Sequence, residues 1–123
     1  MEMEPPRMRL RVTNSTRAAL LADRAERATH FIGRLRGLLG RAQLDPGEGL
    51  EIAPCNCIHT FFMRFSIDVI FLDGAQRVLK VAPRIRPWRV IGCSQARSVL
   101  ELPAGTVEKT GTRPADELDF ELC

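Results

Sequence analysis

A chain of 123 residues, 45% hydrophobic and 27% charged, is long enough for one domain with a sizeable core and too apolar for a disordered protein. Its net charge of +3 is too small to mark a polyanion-binding protein by itself. No apolar run suits a membrane-spanning helix, and the N-terminal MEMEPPRMRLRV lacks the apolar middle of a secretory signal, so a cytoplasmic location is expected.

Residues 1–7 read as a loose tail and residues 8–123 as a single globular domain. MRLRVTN (8–14) alternates apolar and polar residues and predicts a first strand, with a turn beginning at Asn14-Ser15. ALLA (18–21) is a short apolar run able to pair back onto it. Asp23 and Glu26 then have the spacing of a capping box. Ala25, Ala28, Phe31, Ile32, Leu35, Leu38 and Leu39 recur every three or four residues behind it, which predicts an amphipathic helix ended by Gly37 or Gly40. LEIA (50–53) reads as a strand that Pro54 ends. VIFL (69–72), Asp73-Gly74 and RVLKV (77–81) predict a hairpin over 66–81. PRIRPWR (83–89), with two prolines, is neither a central strand nor a helix. SVLEL (98–102) predicts another strand, Pro103 opens a short helix over AGTVEKT that Gly111 closes, and ADELDFEL supplies a last strand. The expected fold class is α+β: mostly antiparallel β, a small barrel or rolled sheet with one main amphipathic helix.

Charge alternates along the chain. Residues 75–97 carry six cations and no acid, whereas residues 98–123 carry six acids and two cations, so folded segments are expected to neutralise one another. Sixteen of the eighteen cations are Arg, which suits forked internal links to carboxylates. Cys55, Cys57, Cys93 and Cys123 are expected to be thiols, because the chain can fold without bridges and one intervening residue strains a Cys55–Cys57 bond.

The densest chemistry lies in PCNCIHTFFMRFSIDVIFLDG (54–74). In an extended segment Cys55, Cys57, His59, Phe61 and Met63 share one face. Their soft ligands would suit copper or zinc, but same-face positions are roughly 6–7 Å apart and do not converge on one ion. Core packing is the simpler account of the sulfurs, and neither metal nor cofactor is expected. If Met63-Arg64 were a two-residue hairpin turn, His59 would face Asp68. That pair would orient a general base, or serve as a structural hydrogen bond. No phosphate-binding glycine loop or nucleophile elbow accompanies it.

RLRGLLGR (34–41), PC (54–55), IHTFFMRFSIDVIFLD (58–73) and VLELPAGT (99–106) together resemble the bacterial and archaeal domain-of-unknown-function family 192, over residues 8 to 122. The resemblance implies a compact, mostly β domain with one helix and no assigned reaction. It directs attention to Arg34, Arg41, His59, Asp68 and Glu101. Two positions depart from the family pattern: Phe62 stands where glycine is usual, and Ser66 where proline is usual.

The function these residues suggest is a noncatalytic ligand- or protein-binding accessory module, with His59, Met63, Asp68, Arg34 and Glu101 as candidate contacts. The alternative is a small enzyme with His59 as general base oriented by Asp68. A further alternative uses Arg84, Arg86, Trp88 and Arg89 to grip phosphates and stack on bases. Such a stretch is more simply a solvated loop whose tryptophan covers a core edge, so a small molecule or a protein is the expected partner and nucleic acid the less favoured one.

Overall fold

The structure, a computed structural model, describes residues 9–28 and 42–123. Among these, strands dominate: β1 (Arg9–Asn14), β2 (Ala19–Ala28), β3 (Glu48–Ile52), β4 (Cys57–His59), β5 (Ile67–Leu72), β6 (Val78–Ile85), β7 (Val90–Gly92), β8 (Ser98–Pro103) and β9 (Leu118–Leu122). One helix of five residues, α1 (Thr106–Thr110), precedes β9. The protein is therefore largely β rather than a balanced α+β fold.

Seven strands form one sheet in the order β6-β5-β8-β3-β2-β1-β9, and β4 pairs with β7 in a separate ribbon. All pairings are antiparallel except β2 with β3. The large sheet curls until its two outer strands meet at one end, where Arg77 bridges Glu117 and the Val78 N–H donates to the Asp116 carbonyl at 2.8 Å. The result is a half-barrel.

The central strands are apolar on both faces, as the run VIFL foreshadows. Ile67, Val69 and Phe71 of β5 pack on one side with Ile52, Ile58, Met63 and Val99. Ile70 and Leu72 pack on the other with Leu10, Val12, Leu100, Leu102 and Leu118. Pro83 is tolerated in β6 because that strand is at the sheet's edge and the residue falls in a bulge outside the ladder pairing, where no N–H is required.

The predicted helix beginning at Asp23 is corrected in its first part. Residues 23–28 belong to β2, which pairs with β1 on one side and, in parallel, with β3 on the other. The rest of the proposed helix, with Arg34 and Arg41, lies outside the described residues. Ala22 and Ala25 are fully buried in the core cluster with Leu10, Val12 and Leu102. The short helix after Pro103 forms as predicted, and Gly111 ends it with φ 70°, a left-handed turn that glycine adopts without a steric penalty.

Arginine–carboxylate links occur inside the fold. Arg27 of β2 is paired with the buried Glu51 of β3, directly across the parallel ladder. Asn14, Arg17, Thr112 and Asp116 form a second network. Asn14 Nδ2 donates to Asp116 Oδ2 at 2.9 Å and to Thr112 Oγ1 at 3.1 Å, and Arg17 Nε donates to Asp116 Oδ2 at 2.8 Å. Burial acts to raise the Asp116 carboxyl. Bonds from Asn14, Arg17 and the Arg113 N–H, with the charge of Arg17, outweigh it and hold the group below its ordinary value.

A carboxyl lowered on folding contributes stability above its unfolded value of about 3.9, and that contribution is lost as pH falls through the folded value. Asp116→Asn should accordingly be less stable than the wild type at neutral pH, by about 1–3 kcal/mol. The difference should shrink in acid, as pH falls from the unfolded value through the lower folded one. Denaturant unfolding across pH checks this, and a difference that stays constant into acid would refute it.

Candidate functional site

The candidate residues are dispersed by the fold. Asp68 is completely buried, and its carboxylate accepts three backbone N–H groups: Arg84 at 2.9 Å on Oδ1, with Gly105 at 3.1 Å and Val107 at 2.7 Å on Oδ2. The register of β5 against β6 slips between Ile67 and Val69, which leaves Pro83-Arg84 as a bulge opposite Asp68. The side chain thus caps the N–H released by the bulge and two more at the start of α1. The expected His59–Asp68 pair does not form. Its premise, a turn at Met63-Arg64, fails because His59 pairs across the ribbon with Val90 instead.

Met63 is buried in the core cluster with Val69 and Phe71. Glu101 is also fully buried, and it stands between Leu50 of β3 and Val69 of β5 in the sheet register. The single extended face expected from Cys55 to Met63 is not built either. Only Cys57–His59 is strand, Cys57 is exposed, and the chain reverses over the next four residues. None of the four cysteines is in a disulfide.

What the fold does assemble is a row of rings. His59 packs on Phe61 with centroids 4.9 Å apart, Phe61 stacks on Trp88 at 5.6 Å, and Trp88 meets Phe62 at 4.7 Å with the planes tilted 60°. The Phe61 N–H donates to His59 Nδ1 at 3.2 Å, so the neutral imidazole carries its proton on Nε2. At the far end of the row the rings face solvent: Phe62 is 68% exposed, Trp88 55% and the adjacent Val90 64%.

Thr60 holds the two loops that carry these rings. It is fully buried between His59 and Phe61. Its N–H donates to the Arg89 carbonyl at 2.8 Å and its carbonyl accepts the Trp88 N–H at 3.0 Å. Its hydroxyl donates to the Arg86 carbonyl at 2.7 Å and accepts the Arg89 N–H at 2.9 Å. The proline-rich loop is thereby tied to one residue of the IHTFF segment at each of its last turns. Sequence reasoning passed over Thr60, because a buried threonine has no periodic signature; its place between His59 and Phe61 was the available clue.

Phe62 and Trp88 both lie in the left-handed region, with φ 67° and 65°. This explains why a glycine suits position 62 and shows that the departure to Phe is accommodated under strain. Phe62→Gly should be more stable than Phe62→Ala by about 1 kcal/mol, the reverse of the order at ordinary backbone positions. Paired denaturant titrations decide it, and an Ala variant at least as stable as the Gly variant would contradict the assignment.

Arg64, Arg86 and Arg89 are exposed around the row, and among the described residues none of them is in an ion pair. Arg84 differs: its guanidinium reaches Glu108 of α1 at 3.3 Å. A separate open groove of ≈ 500 Å³ lies between Leu20–Asp23, Pro46-Gly47 and α1, and it contains none of the rings. Among the described residues there is no group of three His, Cys, Asp or Glu side chains placed to hold a metal, and no helix long and apolar enough to cross a membrane.

Comparison with known proteins agrees with this fold. The model of the family DUF192, described as "Uncharacterized ACR", matches residues 11–120. A UPF0127 protein of Thermococcus sibiricus is 33% identical over 89% of this chain and 73% of its own length. Another, from Pyrococcus abyssi, is 33% identical over 89% of this chain and 96% of its own. Two crystal structures share the fold. A candidate transcription regulator of Sinorhizobium meliloti has TM-score 0.80 and 23% identity, covering 98% of both chains. A protein of unknown function from Novosphingobium aromaticivorans has TM-score 0.77 and 22% identity, covering 92% of this chain and 84% of its own.

Proposed function

The chain belongs to the DUF192 family, and from that premise we propose that it is a noncatalytic binding module whose contact surface is the ring row His59, Phe61, Trp88 and Phe62 with its arginine rim. One observation supports this most directly: two large aromatic side chains are held in solvent on left-handed backbone. Left-handed backbone at a residue with a Cβ costs about 1–2 kcal/mol. Leaving large rings unburied forgoes further stabilisation. Such conformations persist where surrounding bonds over-determine them, and they cluster at ligand clamps. Thr60 supplies those bonds here.

The enzymatic alternative loses its orienting group. Asp68 spends both carboxylate oxygens on backbone donors and lies in the core, while His59 Nδ1 is already an acceptor for Phe61.

Trp88 is the only tryptophan, so its emission reports on the proposed surface directly. Titration with fractionated cell extract, as separate protein, nucleic-acid and small-molecule pools, should find at least one pool that shifts this emission. The same pool should slow hydrogen exchange in residues 57–66 and 84–92. Phe62→Gly should weaken the response. Binding that leaves Trp88 and both segments unchanged, or no binding by any pool, would overturn the proposal.

A further inference from the structure

Building on the ring row as the contact surface, the geometry points to single-stranded nucleic acid as its partner. The segments that carry the row, 57–66 and 84–92, contain four arginines and neither Asp nor Glu. Glu108 neutralises Arg84. Arg64, Arg86 and Arg89 remain as exposed guanidiniums beside exposed rings, with Phe62 close to Arg64 and Trp88 between Arg86 and Arg89 in the chain. The sequence favoured a solvated loop with its tryptophan covering a core edge. Instead Trp88 packs on Phe61 and Phe62 and is more than half exposed.

A partner for this surface must offer anions and planar apolar faces at the same spacing. A single strand does so in every nucleotide: the base stacks on an aromatic ring and the phosphate meets a guanidinium. A duplex withholds its base faces in its own stack. A protein partner would have to supply a separate carboxylate for each of the three guanidiniums, whereas every nucleotide of a single strand brings a phosphate with its base. The bases would stack on Phe62 and the outer face of Trp88, with Arg64, Arg86 and Arg89 on the phosphates. Thr60 would keep both loops in place, so little ordering is needed on binding.

Fluorescence anisotropy with labelled oligouridylate and oligothymidylate of about 12 nucleotides, read alongside Trp88 quenching, tests the assignment on the full chain. Both strands should bind at low salt and quench Trp88, and the ratio of their affinities tells whether ribose or deoxyribose is preferred. The logarithm of affinity should fall with that of salt with a slope of about −2 for three phosphate contacts, and Arg86→Ala or Arg89→Ala should each reduce the slope by about 0.7. Phe62→Gly should weaken binding by about tenfold, within the 5–150-fold range of one lost stacking contact, and Phe62→Tyr should retain it. Unfolding curves for each variant separate lost binding from lost fold.

Failure of both oligonucleotides to bind would overturn the assignment, as would equal binding of the matching duplex or affinity unaffected by Phe62→Gly. A glutamate-rich, tryptophan-containing peptide provides the contrast. If that peptide alone binds in a Phe62-dependent way, nucleic acid is refuted and the ring row stands as a protein-contact surface. If neither probe shows any Phe62 dependence, the ring row falls with it.

Discussion

Asp68→Ala should lower the stability of the protein by about 3–5 kcal/mol, the largest loss expected from any single change to the candidate residues. The substitution deletes the acceptor of three backbone donors, two of them at the start of α1 and one at the β6 bulge. Water cannot replace it without opening the sheet, because the side chain has no exposed surface. Each buried donor then bears a desolvation penalty that the native bond had offset. Asp68→Asn should cost less, about 2 kcal/mol, since one oxygen remains while the amide N–H now confronts a donor. Denaturant unfolding measures both. An alanine variant within about 1 kcal/mol of the wild type would remove the structural role. So would an asparagine variant that folds normally and loses only binding, which would return Asp68 to the list of contact residues.

Thr60→Val should cost about 2 kcal/mol, and it should loosen the surface more than the core. Valine nearly preserves the shape of threonine and leaves the backbone bonds to Trp88 and Arg89 in place. It removes the hydroxyl that donates to the Arg86 carbonyl and accepts from the Arg89 N–H. The expected signs are a lower unfolding midpoint, faster hydrogen exchange in residues 86–89 and reduced anisotropy of Trp88 emission. Thr60→Ser should restore most of each. Unchanged Trp88 anisotropy in the valine variant would show that the loop is held by something other than the Thr60 hydroxyl.

Local patterning made much of the sheet legible. The alternation of Leu10 and Val12, the run through Val69–Leu72 with its turn at Asp73-Gly74, and the Pro103-to-Gly111 bracket around α1 each depend on neighbours a few residues away. Residues 23–28 failed for the converse reason. Asp23, Glu26, Ala25 and Ala28 imitate a capped helix in sequence, but two strands that flank β2 decide its conformation. The same limit hid the site. His59 pairs with Val90, and Thr60 bonds to Arg86 and Arg89, across roughly thirty residues of chain. Nothing within the IHTFF segment encodes that partnership. The hairpin arithmetic that joined His59 to Asp68 assumed a local turn, whereas the chain reverses around Phe62 on left-handed backbone. The basic loop is visible as composition; only the fold shows that Arg64, Arg86 and Arg89 are in no ion pair among the described residues and that Trp88 is more than half exposed.

The pairing of β1 with β9 has a kinetic consequence. Leu10 sits opposite Leu122, and the Cys123 N–H closes on the Arg9 carbonyl at 3.0 Å. A strand near the start of the domain therefore waits for one of the last to be synthesised. Until β9 emerges from the ribosome, one side of the β1–β2 hairpin offers unsatisfied peptide groups to any other nascent strand. Completion of the half-barrel is thus a late, long-range event, slow by the standards of chains this size and most exposed to mispairing just before translation of the domain ends.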